Sequence, residues 1–287
     1  MKRAKLQKAP YLLVLPGGLW LIVFFAIPMV TMLSLSLQQG DVVNGYAFTG
    51  HWQTYLDALG NYKVQLIRSL IYGLISTIIM IVLAFPVAYW IAFYGGKRKS
   101  TYLFLLLLPF FVSFVLRTIS WRMILTDEGP LLQPLKQLGL IPDSVHILGT
   151  APAVIAGLVY NYLPFMVLPI YVGLERIDPR IVEAARDLYA NPAVTFRKVI
   201  LPLSLPGVFA GVLMSFVPVS SDYVNSSVLG SPSTTMIGQV IQAEFLQNSD
   251  YPTAAALSFV LMAVLLIGVF AYAWALGTED VLEVAAR

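Results

Sequence analysis

The run VEAARDLYANPAVTFRKVILPLSLPG, Val182–Gly207, lies in a segment that carries charge most of the chain avoids. The 287 residues include 18 basic and 15 acidic side chains, 11% of the total. Nine of these (Glu175, Arg176, Asp178, Arg180, Glu183, Arg186, Asp187, Arg197 and Lys198) crowd into residues 175–198. Long apolar stretches flank the island on both sides. Its purpose depends on what those stretches build.

Hydrophobic residues make up 58% of the chain, whereas soluble globular chains are nearer 45–50% apolar and about 25% charged. The balance points to an integral membrane protein. Cysteine is absent, which excludes disulfides and thiolate metal sites. A helix crosses the bilayer core with roughly 20 apolar residues. Six segments meet this: Tyr11–Leu37, Leu66–Tyr94, Tyr102–Leu125, Pro152–Leu174, Leu205–Leu229 and Thr253–Leu276. The fold class expected is therefore all-α with six transmembrane helices in a single domain, residues 1–287. Prolines within the spans (Pro16, Pro28, Pro86, Pro109, Pro164, Pro169, Pro218) are tolerated where neighbours satisfy the freed carbonyls. The first span is expected to be a retained helix rather than a signal peptide, because its apolar region is long and lacks a small-residue cleavage site.

Orientation follows from Lys and Arg. Lys2, Arg3, Lys5, Lys8, Lys97, Arg98, Lys99, Arg176, Arg180, Arg186, Arg197, Lys198 and Arg287 fall on one side of the predicted spans, 13 of the 18 basic residues. That side is expected to be cytoplasmic, with both termini and the charged island, residues 175–204.

An enzyme is not expected. The chain lacks a phosphate-binding glycine loop, HExxH and GxSxG. Its two histidines, His51 and His146, fall in different external loops, so no metal site is predicted. The Asn225-Ser226-Ser227 sequon sits at a span end, a poor place for glycosylation. Asp222 is the one carboxylate inside a span, which leaves no carboxylate pair for intramembrane hydrolysis.

The island reads as two short helices. Asp178-Pro179 opens the first, with Asp capping free N–H groups and Pro pre-organised at the first helical position. Ile181, Ala184, Ala185 and Leu188 then form one apolar face. Asn191-Pro192 repeats the signal and opens a second helix through Thr195–Ile200, after which Pro202 and Pro206 steer the chain into the fifth span. On pattern alone such an element suits lipid headgroups or a groove on a soluble partner.

The motif itself resembles the EAA loop of ABC-importer permeases: E-A-A, three residues, Gly, nine residues, Ile, one residue, Leu-Pro. Glu183, Ala184 and Ala185 match, Val199 stands at the Ile position, and Leu201-Pro202 close the pattern. Tyr189 occupies the Gly position, where positive φ would suit glycine. Either the break moves to Asn191-Pro192 or the Tyr189 ring fills part of a partner cleft. The segments PFFVSFVLRTISW (109–121), LKQLGLI (135–141) and GLVYNYLPFMVLPIYVGLERID (157–178) are similar to spermidine/putrescine permeases. The resemblance implies the type I importer permease fold in a bacterial inner membrane. It also implies a second homologous permease, two ATP-binding subunits that hold ATP and Mg, and an extracytoplasmic solute-binding protein. This chain would hold no cofactor, and apart from those proteins only lipid, not nucleic acid, is an expected partner. The coupling residues implied are Glu183, Ala184, Ala185, Asp187, Tyr189, Val199, Leu201 and Pro202. The alternatives are a permease of the same family for another small solute, an ATP-independent transporter or channel, and a membrane scaffold.

Charges inside spans usually face a cavity or a partner. Asp222 lies about two-thirds of the way across its span, counted at 1.5 Å per residue, with Arg117 at similar depth. They read either as an ion pair holding two helices together or as the lining of a passage. A polyamine needs carboxylates and aromatic faces along a wet path, for which Asp222, Tyr223, Trp121, Arg117, Tyr160 and Tyr162 are the candidates. Gly207 and Gly211 form a GxxxG step, predicted to allow close helix packing.

Overall fold

The computed structural model describes residues 8–275. The basic residues Lys2, Arg3, Lys5 and Arg287, and Leu276 at the expected end of the sixth span, lie outside them. In chain order come Leu13–Ser36 (α1), a hairpin of Gln38–Asp41 (β1) and Gly45–Phe48 (β2), then Gln53–Tyr94 (α2). Gly96–Phe111 (α3), Phe114–Leu125 (α4), Leu132–Gln137 (α5), Ala151–Glu175 (α6), Pro179–Asp187 (α7) and Pro192–Ser220 (α8) follow. Val224–Leu229 (α9), Ile237–Leu246 (α10) and Tyr251–Ala275 (α11) complete the order. Among the described residues, five helices are long and apolar enough to cross a membrane, and six if the bent pair α3–α4 is one span.

Three spans differ from the hydropathy reading. The third is not one helix: α3 and α4 meet at an angle of 86°. Pro109 has no N–H to give its preceding turn, the last turn of α3 tightens to 3-10 geometry over Leu108–Phe111, and Val112 and Ser113 are extended. The second starts at Gln53 rather than Leu66 and runs for 42 residues, about twice the ~20 needed to cross the core. The fifth runs as helix from Pro192 to Ser220, breaks at residues 221–223 and resumes as α9. The hairpin is the one sheet among the described residues of an otherwise helical fold. Asp41 Oδ1 accepts the N–H groups of Val43 and Asn44 at its turn, and Gly45 follows at φ +83°.

The chain divides into two compact units. The first contains the residues up to Asn61 with Ile241–Met262. Within it Tyr46 donates to the Ser249 carbonyl (2.6 Å) and Ser36 Oγ pairs with Tyr55 OH (2.7 Å). The large side chains of α1, Trp20, Phe24 and Phe25 among them, are exposed.

The second unit, Tyr62–Val240 with the residues from Ala263, holds the functional features below. Its centre is α6 against α8. Met166, Val167 and Ile170 of α6 are fully buried. A Cβ placed on Gly207 would come 2.6 Å from the Pro169 carbonyl and 3.1 Å from Gly173 Cα, and one on Gly211 would come 2.8 Å from Met166 Sδ. The GxxxG step thus brings two backbones together, as small residues do in membranes. Met80, Ala84 and Ala88 of α2 join the same core.

Candidate functional site

The charged island forms as its caps dictate. Asp178 Oδ1 accepts the Arg180 N–H at 2.9 Å and Asn191 Oδ1 accepts the Val194 N–H at 2.8 Å, each with proline next in sequence. The end of α7 closes in a Schellman arrangement. Tyr189 N–H donates to the Arg186 carbonyl (2.9 Å) and Ala190 N–H to the Ala185 carbonyl (3.1 Å), the two bonds that define the motif. Its left-handed position is Tyr189, at φ +60°. The tyrosine therefore takes the glycine conformation itself, and the break does not move to Asn191-Pro192. Its ring is 99% exposed and touches nothing in this chain that would hold it.

The face of α7 that turns inward is Val182, which is buried with Ile177. Ile181, Ala184 and Leu188, most of the apolar stripe, are exposed with Glu183 and Asp187, and Ala185 is half-buried. The second helix does not stop before the fifth span. Pro192–Thr195 passes through a π turn, Phe196–Ile200, directly into the rest of α8. The wider turn, with Leu201 N–H bonded back to the Phe196 carbonyl, comes just before Pro202, which has no N–H to donate. Val199 and Leu201 are half-buried and Pro202 is exposed. Phe196 anchors the segment, edge-on to Phe85 (5.6 Å between centroids) and Tyr89 (6.0 Å) of α2. Nearby, Lys99 of α3 holds both carboxylate oxygens of Glu175 at the end of α6, at 2.9 and 3.0 Å.

Deeper in the unit, the breaks in the third and fifth spans flank a cavity of about 480 Å³. Phe110, Phe114, Arg117, Tyr162, Asp222 and Tyr223 are among the residues that line it. Asp222 sits in the non-helical break, where its Oδ1 accepts the Asn225 N–H (2.7 Å) and its Oδ2 takes bonds from Tyr162 OH (3.1 Å) and Asn225 Nδ2 (3.2 Å). Asn161 continues the chain, donating to Asn225 Oδ1 and Thr118 Oγ1, both at 3.0 Å. Arg117 is buried, with its guanidinium carbon 4.1 Å from the Phe110 ring centre and 5.8 Å from that of Phe114. Among the described residues, no ion pair joins Arg117 to Asp222. Four of the six path candidates thus share one cavity. Trp121 and Tyr160 instead pair with each other, 5.3 Å between centroids, outside its lining.

Thr118, Asn161 and Asn225 were not among the candidates, though an Asn in a hydrophobic span must find bonds somewhere and is itself a signal. His146 lies apart, bonded to Asp127 at 2.6 Å, with Lys136 on the other carboxylate oxygen at 2.9 Å. Those two bonds hold the Asp127 carboxyl below the usual carboxylate range.

The exposed EAA helix thus leads on into the span that borders the cavity. Residues 58–276 match the family described as binding-protein-dependent transport system inner membrane component. The chain belongs to that family. Two similar relatives are the spermidine/putrescine transport system permease proteins PotB of Haemophilus influenzae and Escherichia coli K12. The first is 35% identical over 254 residues, 88% of this chain and 89% of the relative; the second is 36% identical over 249 residues, 86% and 90%. Among solved structures, a chain of the bacterial ABC transporter involved in import of the acidic polysaccharide alginate superposes with a TM-score of 0.69 at 19% identity, covering 91% of this chain and 92% of that one. The architecture is the type I importer permease fold, and family members of this kind are inner-membrane transport subunits.

Proposed function

We propose that the chain is the permease subunit of an ATP-driven importer for spermidine or putrescine, acting as a single permease domain. The identity to PotB proteins over most of both chains carries the solute assignment. The cavity is in keeping with it, since Asp222, Tyr162 and aromatic rings offer a multiply charged amine a carboxylate and cation–π faces. Both termini and the island at residues 175–204 face the cytoplasm, in line with the distribution of Lys and Arg. The exposed residues Glu183, Ala184, Asp187, Tyr189 and Pro202 then meet an ATP-binding subunit. Ala185, Val199 and Leu201 set the shape behind them. This chain has no ATPase site; ATP and Mg bind two partner subunits, and a second permease supplies the other half of the passage. A solute-binding protein delivers the amine from outside.

Uptake of labelled spermidine into proteoliposomes holding the whole complex tests the solute. Unlabelled putrescine should compete and an amino acid should not; the reverse pattern defeats the assignment. Glu183→Arg should abolish stimulation of ATP hydrolysis by the loaded binding protein while the complex still assembles. Full stimulation in that variant would remove the docking role.

A further inference from the structure

The position of Arg117 is unusual for a passage that conducts cations. Its side chain is 8% exposed, and among the described residues neither Nε nor Nη1 has a hydrogen-bond partner. Buried guanidinium N–H groups are normally bonded, and leaving them unbonded costs free energy. Asp222 lines the same cavity and would supply an acceptor, yet its bonds go to Asn225 and Tyr162. Arg117 is held instead by its position over Phe110 and its nearness to Phe114. Asn161, also in the lining, has a buried Oδ1 that accepts nothing. The cavity therefore has a carboxylate, Asp222, that the chain's own cation leaves unpaired, and an aromatic face that this cation already occupies.

We infer that Arg117 is a tethered cation: in the empty cavity its guanidinium fills the aromatic place that an ammonium group of the substrate takes during transport, and the substrate displaces it. The inference rests on the polyamine reading. Two like charges cannot share one poorly screened site without strong repulsion, so substrate and Arg117 occupy it in turn. A polyamine can approach Phe110 with one ammonium and Asp222 with another, an advantage that a singly charged guanidinium on a short tether lacks. Arg117 is thus a specificity-determining residue that raises the threshold for entry.

The test is binding of labelled spermidine to the whole permease–ATPase complex in nanodiscs without the solute-binding protein. Arg117→Met keeps an apolar stem and removes the competitor, and should tighten binding roughly thirtyfold, the scale of one desolvated cation–π contact. Arg117→Lys should stay within about twofold of the natural protein, since the ammonium takes the same face. In Arg117→Ala, millimolar methylguanidinium should compete with spermidine while neutral methylurea does not, and the natural protein should be insensitive to both. Unchanged or weaker binding in Arg117→Met, or equal effects of methylguanidinium and methylurea, would overturn the inference. If none of the three Arg117 variants assembles, Phe110→Leu decides: it should weaken spermidine binding, and unchanged binding counts against a shared aromatic place. A natural complex that binds no spermidine defeats the polyamine reading itself, and the inference with it. A complex that binds spermidine but gains nothing from Arg117→Met defeats the inference alone.

Discussion

Replacing Tyr189 with glycine should strengthen the end of α7 while removing a ring. The residue sits at φ +60°, a conformation that costs an L side chain roughly 1–2 kcal/mol and glycine almost nothing. Glycine returns part of that gain as extra freedom in the open state, about 0.5–1 kcal/mol. The net is a stabilisation of about 0.5–1 kcal/mol, or roughly a two- to fivefold lower population of the opened helix end. No internal contact offsets it, because the ring is 99% exposed. The reporter is the Ala190 amide, whose bond to the Ala185 carbonyl exists only while the left-handed turn is closed. Its hydrogen exchange in the purified complex should slow two- to fivefold in Tyr189→Gly. Tyr189→Ala loses the same ring but keeps a Cβ, and should exchange no more slowly than the natural protein. Equal protection in the two variants, or faster exchange in Tyr189→Gly, would refute the backbone reasoning. The same pair isolates the ring: if it enters a partner's cleft, both variants lose stimulated ATP hydrolysis to the same degree, whatever their exchange rates.

Gly207→Val should lower the thermal unfolding midpoint of the detergent-solubilised protein, with a cost of about 1–3 kcal/mol from overpacking α6 against α8. Gly268→Ala, inside a helix where an added Cβ meets nothing within 4 Å, should leave the midpoint unchanged or raise it slightly; an equal fall in both variants would contradict the packing account. Asn161→Leu strands Asn225 Oδ1 without the Asn161 donor, a loss of about 1–3 kcal/mol for a buried acceptor. The same unfolding assay reads it, and a neutral result would mean that the polar chain is not bonded as described. For Asp127 the native pKa is lowered, first by Lys136 and then by His146. Its contribution to loop stability is therefore full above the unfolded carboxylate value, about 3.9, and is lost as pH falls through the lower native value. Exchange protection in residues 127–146 should hold at pH 5 and fall below about pH 4. Asp127→Asn should flatten that acid limb; an identical limb in the variant would assign it to another group.

How much could be read beforehand depended on the range of the interactions. Both island helices were legible because their caps are local: Asp178 and Asn191 bond three residues ahead or less. The stripe through Ile181, Ala184 and Leu188 was also legible, but periodicity finds a face without saying what covers it. Here Val182, off the stripe, faces the core and the stripe stays open. Hydropathy located the third and fifth spans, yet an apolar average is blind to the missing N–H of Pro109 and to the cap that Asp222 gives Asn225, so the breaks beside Pro109 and at residues 221–223 escaped it. The cavity was half legible. Tyr160 and Tyr162 lie about 200° apart around a helix, so one small cavity on one face of α6 could take only one of them. Asn161 and Tyr162 line it, while Tyr160 turns to Trp121.

The unbroken passage from island to span has a mechanical consequence. α8 is 29 residues of continuous helix, roughly 43 Å at 1.5 Å per residue. One end is capped by Asn191 within the island; the other stops at Ser220, two residues before Asp222. Pivoting a rod of that length about its middle by about 6° carries each tip roughly 2 Å. Of the bonds around Asp222, the one from Tyr162 of α6 crosses between spans, at 3.1 Å, and a hydrogen bond does not survive a stretch of that size. With the island as the proposed docking element, α8 would work as a lever of one part: a tilt too small to unpack the core is enough to part the carboxylate beyond its far tip from Tyr162.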